Sequence, residues 1–266
     1  MTDLSTVRVA REGSIARVTL ARPVVRNAFD ETLIDELTRV FLSFADDVQT
    51  RVVVLAGEGP VFCAGADIEW MRRAGSFSKA ENEADAERMA RMLWAIDQCT
   101  RPVVALVQGA AIGGGVGLIA ASDVVVAAED AVFSLAEVKL GILPSVISPY
   151  VLRAIGARQA RRYFLTGERF DAAEARRVGL VHEVSAAGEL AAAGDRLIAA
   201  LLTSAPEAVG VAKRLIAQVH GKSPQEAMPL TVRTIAERRA SEEAREGLTA
   251  FLEKRPPAWT PKKSVP

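Results

Sequence analysis

The chain has 266 residues, half of them hydrophobic and a quarter charged, which supplies a sizeable core and excludes general disorder. Thirty-three basic residues balance thirty-three acidic ones and aromatics make up only 5 %, which argues against binding nucleic acid or an anionic membrane through bulk charge or base stacking. With two cysteines (Cys63, Cys99) and two histidines (His182, His220), a disulfide scaffold or zinc site is not expected, and any histidine-dependent catalysis would rest on one of two residues.

Met1 to Arg17 is charged throughout and lacks an apolar h-region, and no uncharged apolar run approaches ~18 residues, so neither a signal peptide nor a membrane span is expected. A cytoplasmic protein with reduced thiols follows as the expectation. In chain order, Ile15–Leu20 alternates as a strand and Arg22-Pro23 ends it. Asp30–Phe44 places Leu33, Leu37, Val40, Phe41 and Phe44 on one helical face. Arg51–Ala56 is a buried strand, Gly57–Asp67 a glycine-punctuated loop, and Ile68–Gly75 a short helix. Ser78 with Glu81 forms a capping box that opens a helix running to about Cys99. Pro102–Gln108 and Val124–Ala128 are further buried strands, and between them Gly109–Ala121 is glycine-rich and then helical. The alternation to about residue 185 predicts an α/β core of βαβ and ββα units. Asp171 and Glu174 cap a short helix that stops at Gly179. From Ala187 to Arg255 the pattern is helical, with a strong helix start at Ser223, Pro224 and Glu226. The Pro- and Lys-rich tail Pro256–Pro266 is expected on the surface. Two regions follow: an α/β body over residues 1–200 and a helical lobe over 201–266.

Three segments carry residue types suited to chemistry. Gly109–Gly117 (GAAIGGGVG) lies between a buried strand and a helix, where glycines let the backbone approach a ligand and free N–H groups face outward. It is neither a Walker loop nor a dinucleotide fingerprint; an oxyanion hole suits it better, and a tight structural turn is the alternative. Phe62–Asp67 (FCAGAD) follows another buried strand and offers a second converging N–H. Asp67 there reads as a helix N-cap and Cys63 as a small buried residue. In the third segment Glu137 stands among small and apolar residues, where desolvation would raise its pKa toward that of a general base; pairing with Lys139 at the surface is the alternative. His182 and His220 read as structural, and Arg158, Arg161 and Arg162 as a solvated helix face or an oligomer contact. Two amide donors plus one buried glutamate suit proton transfer at a carbon next to a thioester.

From Arg22-Pro-Val-Val-Arg-Asn-Ala28 through Phe62–Asp67 and Gly113–Gly115 to Phe251-Leu-Glu-Lys-Arg255, the chain resembles the enoyl-CoA hydratase/isomerase, or crotonase, superfamily. The resemblance implies a crotonase-type α/β spiral of ββα units with a helical C-terminal lobe, a homotrimer or a hexamer made of two trimers, and an acyl-CoA thioester substrate. It implies no metal or redox cofactor, coenzyme A being part of the substrate. The N–H groups of Ala66 and Gly114 would form the oxyanion hole, with Glu137 as the acid/base. Ala64, Asp67 and Ile68 would lie toward the CoA, together with Arg26 and, from the C-terminal lobe, Phe251 and Lys254. The sequence departs from the family where hydratases carry a first glutamate, two residues after the glycine triplet: here it is Gly117. Room left there is expected to admit the substrate's own distal carboxylate, with Gly113 and the N–H or hydroxyl of Ser145 placing water. Ala66–Met71, Gly113–Leu118, Ser134–Gly141 and Pro144–Tyr150 are similar to bacterial methylglutaconyl-CoA hydratases of leucine and isovalerate breakdown. A single-glutamate enoyl-CoA isomerase and a CoA-ester-binding or RNA-associating protein with little catalysis are the alternatives.

Overall fold

Val7–Glu12 (β1) and Ile15–Leu20 (β2) form an antiparallel hairpin that turns through Gly13 at φ 60°. The computed structural model describes residues 4–261; the first three residues and the end of the expected surface tail, 262–266, lie outside the described residues. After the hairpin, Glu31–Ser43 (α1) leads to Val52–Gly57 (β3), parallel to β2. Ile68–Ala74 (α2) and Lys79–Asp97 (α3) lead to Val103–Val107 (β4), parallel to β3. Ala110–Ile112 (β5) and Gly114–Ala120 (α4) precede Val124–Ala128 (β6), parallel to β4. Val132–Ser134 (β7), a 3-10 turn at Ala136–Leu140, Ser148–Thr166 (α5), Arg169–Asp171 (β8), Ala172–Arg177 (α6) and Glu183–Ser185 (β9) follow. The main sheet has the order β1-β2-β3-β4-β6-β9, and a small second sheet the order β5-β7-β8.

The apolar runs of β3 and β4 are continuous because both faces of the sheet are covered. Val53 and Leu55 of β3, with Val103, Ala105 and Val107 of β4, face one core that includes Leu33, Leu37 and Phe41 of α1 and Met92, Leu93 and Ile96 of α3. Val52 and Val54, with Val104 and Leu106, face the other side, where Ala193 and Ile198 of Leu190–Thr203 (α7) cover them. Pro206–Val219 (α8), Pro224–Arg239 (α9) and Glu242–Leu252 (α10) make up the remainder of the helical C-terminal region.

The predicted caps are present: Asp171 accepts from Glu174 N, and both Ser78/Glu81 and Ser223/Glu226 form complete capping boxes. Asp30 adds a cap at the start of α1, accepting from Leu33 N. β5, β7, β8 and β9 span three residues each, too short for a periodic signal, and only their long-range partners make them strands. No helix among the described residues is long and apolar enough to cross a membrane.

Candidate active site

β3 and β4 are parallel neighbours, so the loops that leave their C-terminal ends emerge side by side, where open parallel sheets place ligands. The two loops pair: Cys63 N donates to Ala110 O at 3.0 Å and Ile112 N to Cys63 O at 3.0 Å. Beyond this bridge Phe29 N donates to Gly65 O at 2.8 Å and Asp67 N to Phe29 O at 2.9 Å. Ala66 lies between these two bonds, so its own N–H points to the opposite side of the strand. On the neighbouring loop Gly113, at φ 54°, donates its N–H to Ser134 O at 2.8 Å and hands the chain to α4, whose first free N–H belongs to Gly114. Among the described residues neither the Ala66 nor the Gly114 N–H meets a protein acceptor. Both residues line one cavity of ≈ 1020 Å³ together with Glu137.

Glycine is required here for two reasons. A Cβ at Gly65, at φ 91°, would come 2.8 Å from Ile112 O, so a side chain would part the two loops. A Cβ at Gly113 would lie 3.0 Å from Glu137 Oε1, so the bare backbone is what lets the carboxyl come up against Gly113, one residue before Gly114. Glu137 itself stands on the 3-10 turn ended by Gly141 at φ 76°. Its Oε2 is buried and has no hydrogen-bond partner among the described residues. Burial raises its pKa above the ordinary carboxylate value, against a smaller opposing effect of its own backbone N–H. A buried, unpartnered Oε2 is not that of a surface glutamate paired with Lys139, so that alternative for Glu137 does not hold.

The fold brings together Ala64, Ala66, Ile68, Gly113, Gly114, Glu137 and Ser145 as cavity-lining residues. Others expected at the site lie elsewhere. Asp67 caps α2 through Glu69 N and Trp70 N and pairs with Arg22 at 3.1 Å, so its carboxylate is already committed to structure. Arg26 sits at φ 55° with its carbonyl accepting from Ala64 N, but its exposed side chain does not line the cavity. Phe251, 80 % exposed, and Lys254 also lie off the cavity of their own chain. Ser145 N donates to Leu143 O at 2.7 Å, which leaves its hydroxyl, not its amide, free to hold water. Gly117 opens no room: a Cβ there would lie 2.3 Å from Ile147 Cγ2, because Ile147 fills that space.

The bland readings of the sulfur and imidazole groups stand. Cys63 is fully buried, its thiol donates to Asn27 O at 3.2 Å, and burial pushes its pKa up to about 12. His182 Nδ1 accepts from Val125 N at 3.1 Å within the β6–β9 region. A second cavity of ≈ 680 Å³ beneath α8 is lined by His182 and His220 and by mutually paired charges, Lys213 with Asp123 and Arg153 with Asp97.

Three contributors escaped the sequence. Asn27, fully buried at φ 54°, accepts from Arg22 N and donates to both Glu58 O and Val61 O at 2.8 Å, stapling one loop to the next. An Asn tolerates the left-handed region, so Arg26-Asn27 after the 3-10 turn at Pro23–Val25 was a usable turn signal. Trp70 and Ile147 line the cavity, and nothing local in sequence marks either.

Two amides beside one desolvated carboxylate can polarise a carbonyl while a proton moves at the adjacent carbon. That chemistry and the spiral α/β body define the crotonase-type class. Residues 10–262 match the family described as enoyl-CoA hydratase/isomerase, and the chain belongs to that family. It is 31 % identical to a putative enoyl-CoA hydratase of Thermus thermophilus over 93 % of this chain and 98 % of that one. It is 34 % identical to the carnitinyl-CoA dehydratase of Escherichia coli K12, over 95 % and 97 % of the two chains. A crystal structure of an enoyl-CoA hydratase from Shewanella pealeana superimposes with a TM-score of 0.93 at 42 % identity, covering 96 % of each chain.

Proposed function

We propose that the protein adds water reversibly to the double bond of a 2-enoyl-CoA, with a branched, carboxylated acyl group such as methylglutaconyl as the substrate, in leucine and isovalerate breakdown. The thioester oxygen accepts from the Ala66 and Gly114 N–H groups. The Glu137 carboxylate takes a proton from water as the water oxygen bonds to C3, and the C2–C3 π pair moves into the enolate held by the two amides. Glu137 then returns that proton to C2. One water is added, the carboxylate is regenerated, and both new bonds form on the face that Glu137 occupies. Neither a metal nor a redox group enters this sequence.

The observation that carries the reading is the placement of Glu137 against Gly113, one residue from the Gly114 amide, in the cavity shared with Ala66. Wide apolar walls from Trp70, Met89, Ile142 and Leu143 suit a branched acyl group, and Arg72 is the one cation among the lining residues for a distal carboxylate. Ala64 and Ile68 mark the CoA side. Phe251 and Lys254, which lie off the cavity of their own chain, keep their assignment to CoA contact from the C-terminal lobe, in a homotrimer or a pair of trimers. Met228, Val232 and Ile235 of α9 and Leu248 and Leu252 of α10 are more than half or half exposed and would be covered there. Light scattering that shows a monomer would remove this part.

A single carboxylate also fits an enoyl-CoA isomerase, in which one base carries a proton between two carbons. A panel of methylglutaconyl-CoA, crotonyl-CoA and a 3-enoyl-CoA in 18O-labelled water separates the two. Label in the product of the first substrate supports hydration; a double-bond shift without label supports isomerisation. Tight CoA-ester binding with no turnover on any of them would leave a binding protein.

A further inference from the structure

Gly113, the N-cap at φ 54°, precedes α4, and Gly117 lies within α4, three residues after Gly114. A Cβ at Gly113 would lie 3.0 Å from the Glu137 carboxyl. At Gly117 a Cβ would lie 2.3 Å from Cγ2 and 3.0 Å from Cβ of Ile147, with Leu93 Cδ2 behind at 3.6 Å. Ile147 is 2 % exposed, lines the cavity, and stands immediately before α5, where its carbonyl accepts from the N–H groups of Tyr150 and Val151, each at 3.1 Å. Its backbone is therefore held and its side chain cannot leave the site without repacking the core.

We infer that Ile147 is a specificity-determining residue: it occupies the volume a carboxylate at position 117 would need and keeps Glu137 as the one lining carboxylate without a cation partner, since Asp85, which also lines the cavity, is paired with Arg88 at 2.8 Å. The absence of a second such carboxylate is then a property of a residue pair, small at 117 and large at 147. Position 117 alone does not decide it. The catalytic half of this inference rests on the proposed action on an enoyl thioester; the steric half does not. Replacing Ile147 with Ala would leave its Cβ 3.0 Å from a new Cβ at 117, tighter than an ordinary contact, so glycine is the replacement that clears the space.

The test is a double-variant cycle read by thermal unfolding and by crotonyl-CoA hydration. Gly117→Ala adds only the offending Cβ and should lower the unfolding midpoint; combined with Ile147→Gly, the two losses should be clearly less than additive. Gly117→Glu alone should hydrate crotonyl-CoA no faster than the unmodified protein. Gly117→Glu with Ile147→Gly should exceed Ile147→Gly alone by at least about tenfold in kcat, a modest share of what one general acid/base contributes. Additive thermal losses, or a Gly117→Ala protein that unfolds with the unmodified one, overturn the inference whatever reaction the chain performs. Coupled thermal losses without a gain in hydration by a double variant that folds and still binds CoA esters overturn its catalytic half. If the unmodified protein turns over no enoyl-CoA, the proposed function fails, while the thermal cycle still decides the steric half.

Discussion

Glu137→Gln is the sharpest probe of the site because the structure predicts opposite effects on activity and on stability. Glutamine keeps the shape of the side chain but cannot take a proton from water, and no other titratable group stands at its place beside Gly113. A positioned general acid/base contributes roughly 10²–10⁴ in rate, so kcat should fall by about that factor, which at 1.36 kcal/mol per tenfold is about 3–5 kcal/mol of barrier. CoA-ester affinity should hold, because the amides of Ala66 and Gly114 are untouched. Stability should not fall. Burial raises the pKa of Glu137 in the folded state above its unfolded value, so the folded form is favoured while the group is protonated. That advantage is present below the unfolded pKa and lost as pH rises through the folded one, above which a charged, partnerless oxygen is left. Removing the charge should thus leave the unfolding midpoint at pH 7 equal or higher. The same raised pKa should place the acid limb of kcat/KM for the unmodified enzyme above the usual carboxylate range of ~4.3. The assays are steady-state kinetics with equilibrium CoA-ester binding and thermal unfolding across pH. Full activity in the variant, or a marked loss of stability with activity falling only in proportion, would refute the assignment of Glu137 as a desolvated base.

Other expectations follow from single contacts. Gly114→Ala would drive a Cβ to 2.3 Å from Phe29 Cζ and 2.8 Å from Met89 Cε; since Phe29 is fully buried, we expect ~1–3 kcal/mol of destabilisation and a displaced amide, seen as a fall in kcat as well as in unfolding midpoint. Glu36 is buried at the edge of the sheet, and burial alone would raise its carboxyl. Hydrogen bonds from Thr6 Oγ1 at 2.6 Å and from the Ser5, Thr6 and Val7 amides outweigh this and hold it low. A lowered folded pKa stabilises above the unfolded value and is lost as pH falls through the folded one. Glu36→Gln should therefore cost about 1–3 kcal/mol at pH 7 in denaturant titrations, with the difference shrinking below about pH 4.

Much of the fold was legible because it is written in short-range patterns. The apolar runs at β3, β4 and β6 state their burial, and Ser78, Asp171 and Ser223 state where helices begin through oxygens that reach amides three residues on. The site was legible as residue types. Glycine where backbone must approach closely and an acid stranded among small residues are chemical anomalies that need no partner to be noticed. Asp67 and Cys63 were resolved in favour of structure by the same logic, an oxygen at a helix start and a thiol without a base.

What required tertiary structure is the identity of neighbours far apart in sequence. That Gly113 is bare so that Glu137 can approach, that Asn27 staples loop to loop, and that the side chains of Arg26 and Phe251 lie off the cavity depend on contacts whose partners are tens of residues distant or in another element. Gly117 shows the division most plainly. The sequence by itself determined that a carboxylate is missing there, because residue identity is local information. Only the packed chain decided what stands in its place: close packing leaves no vacant volume beside a glycine, and Ile147, thirty residues on, fills it.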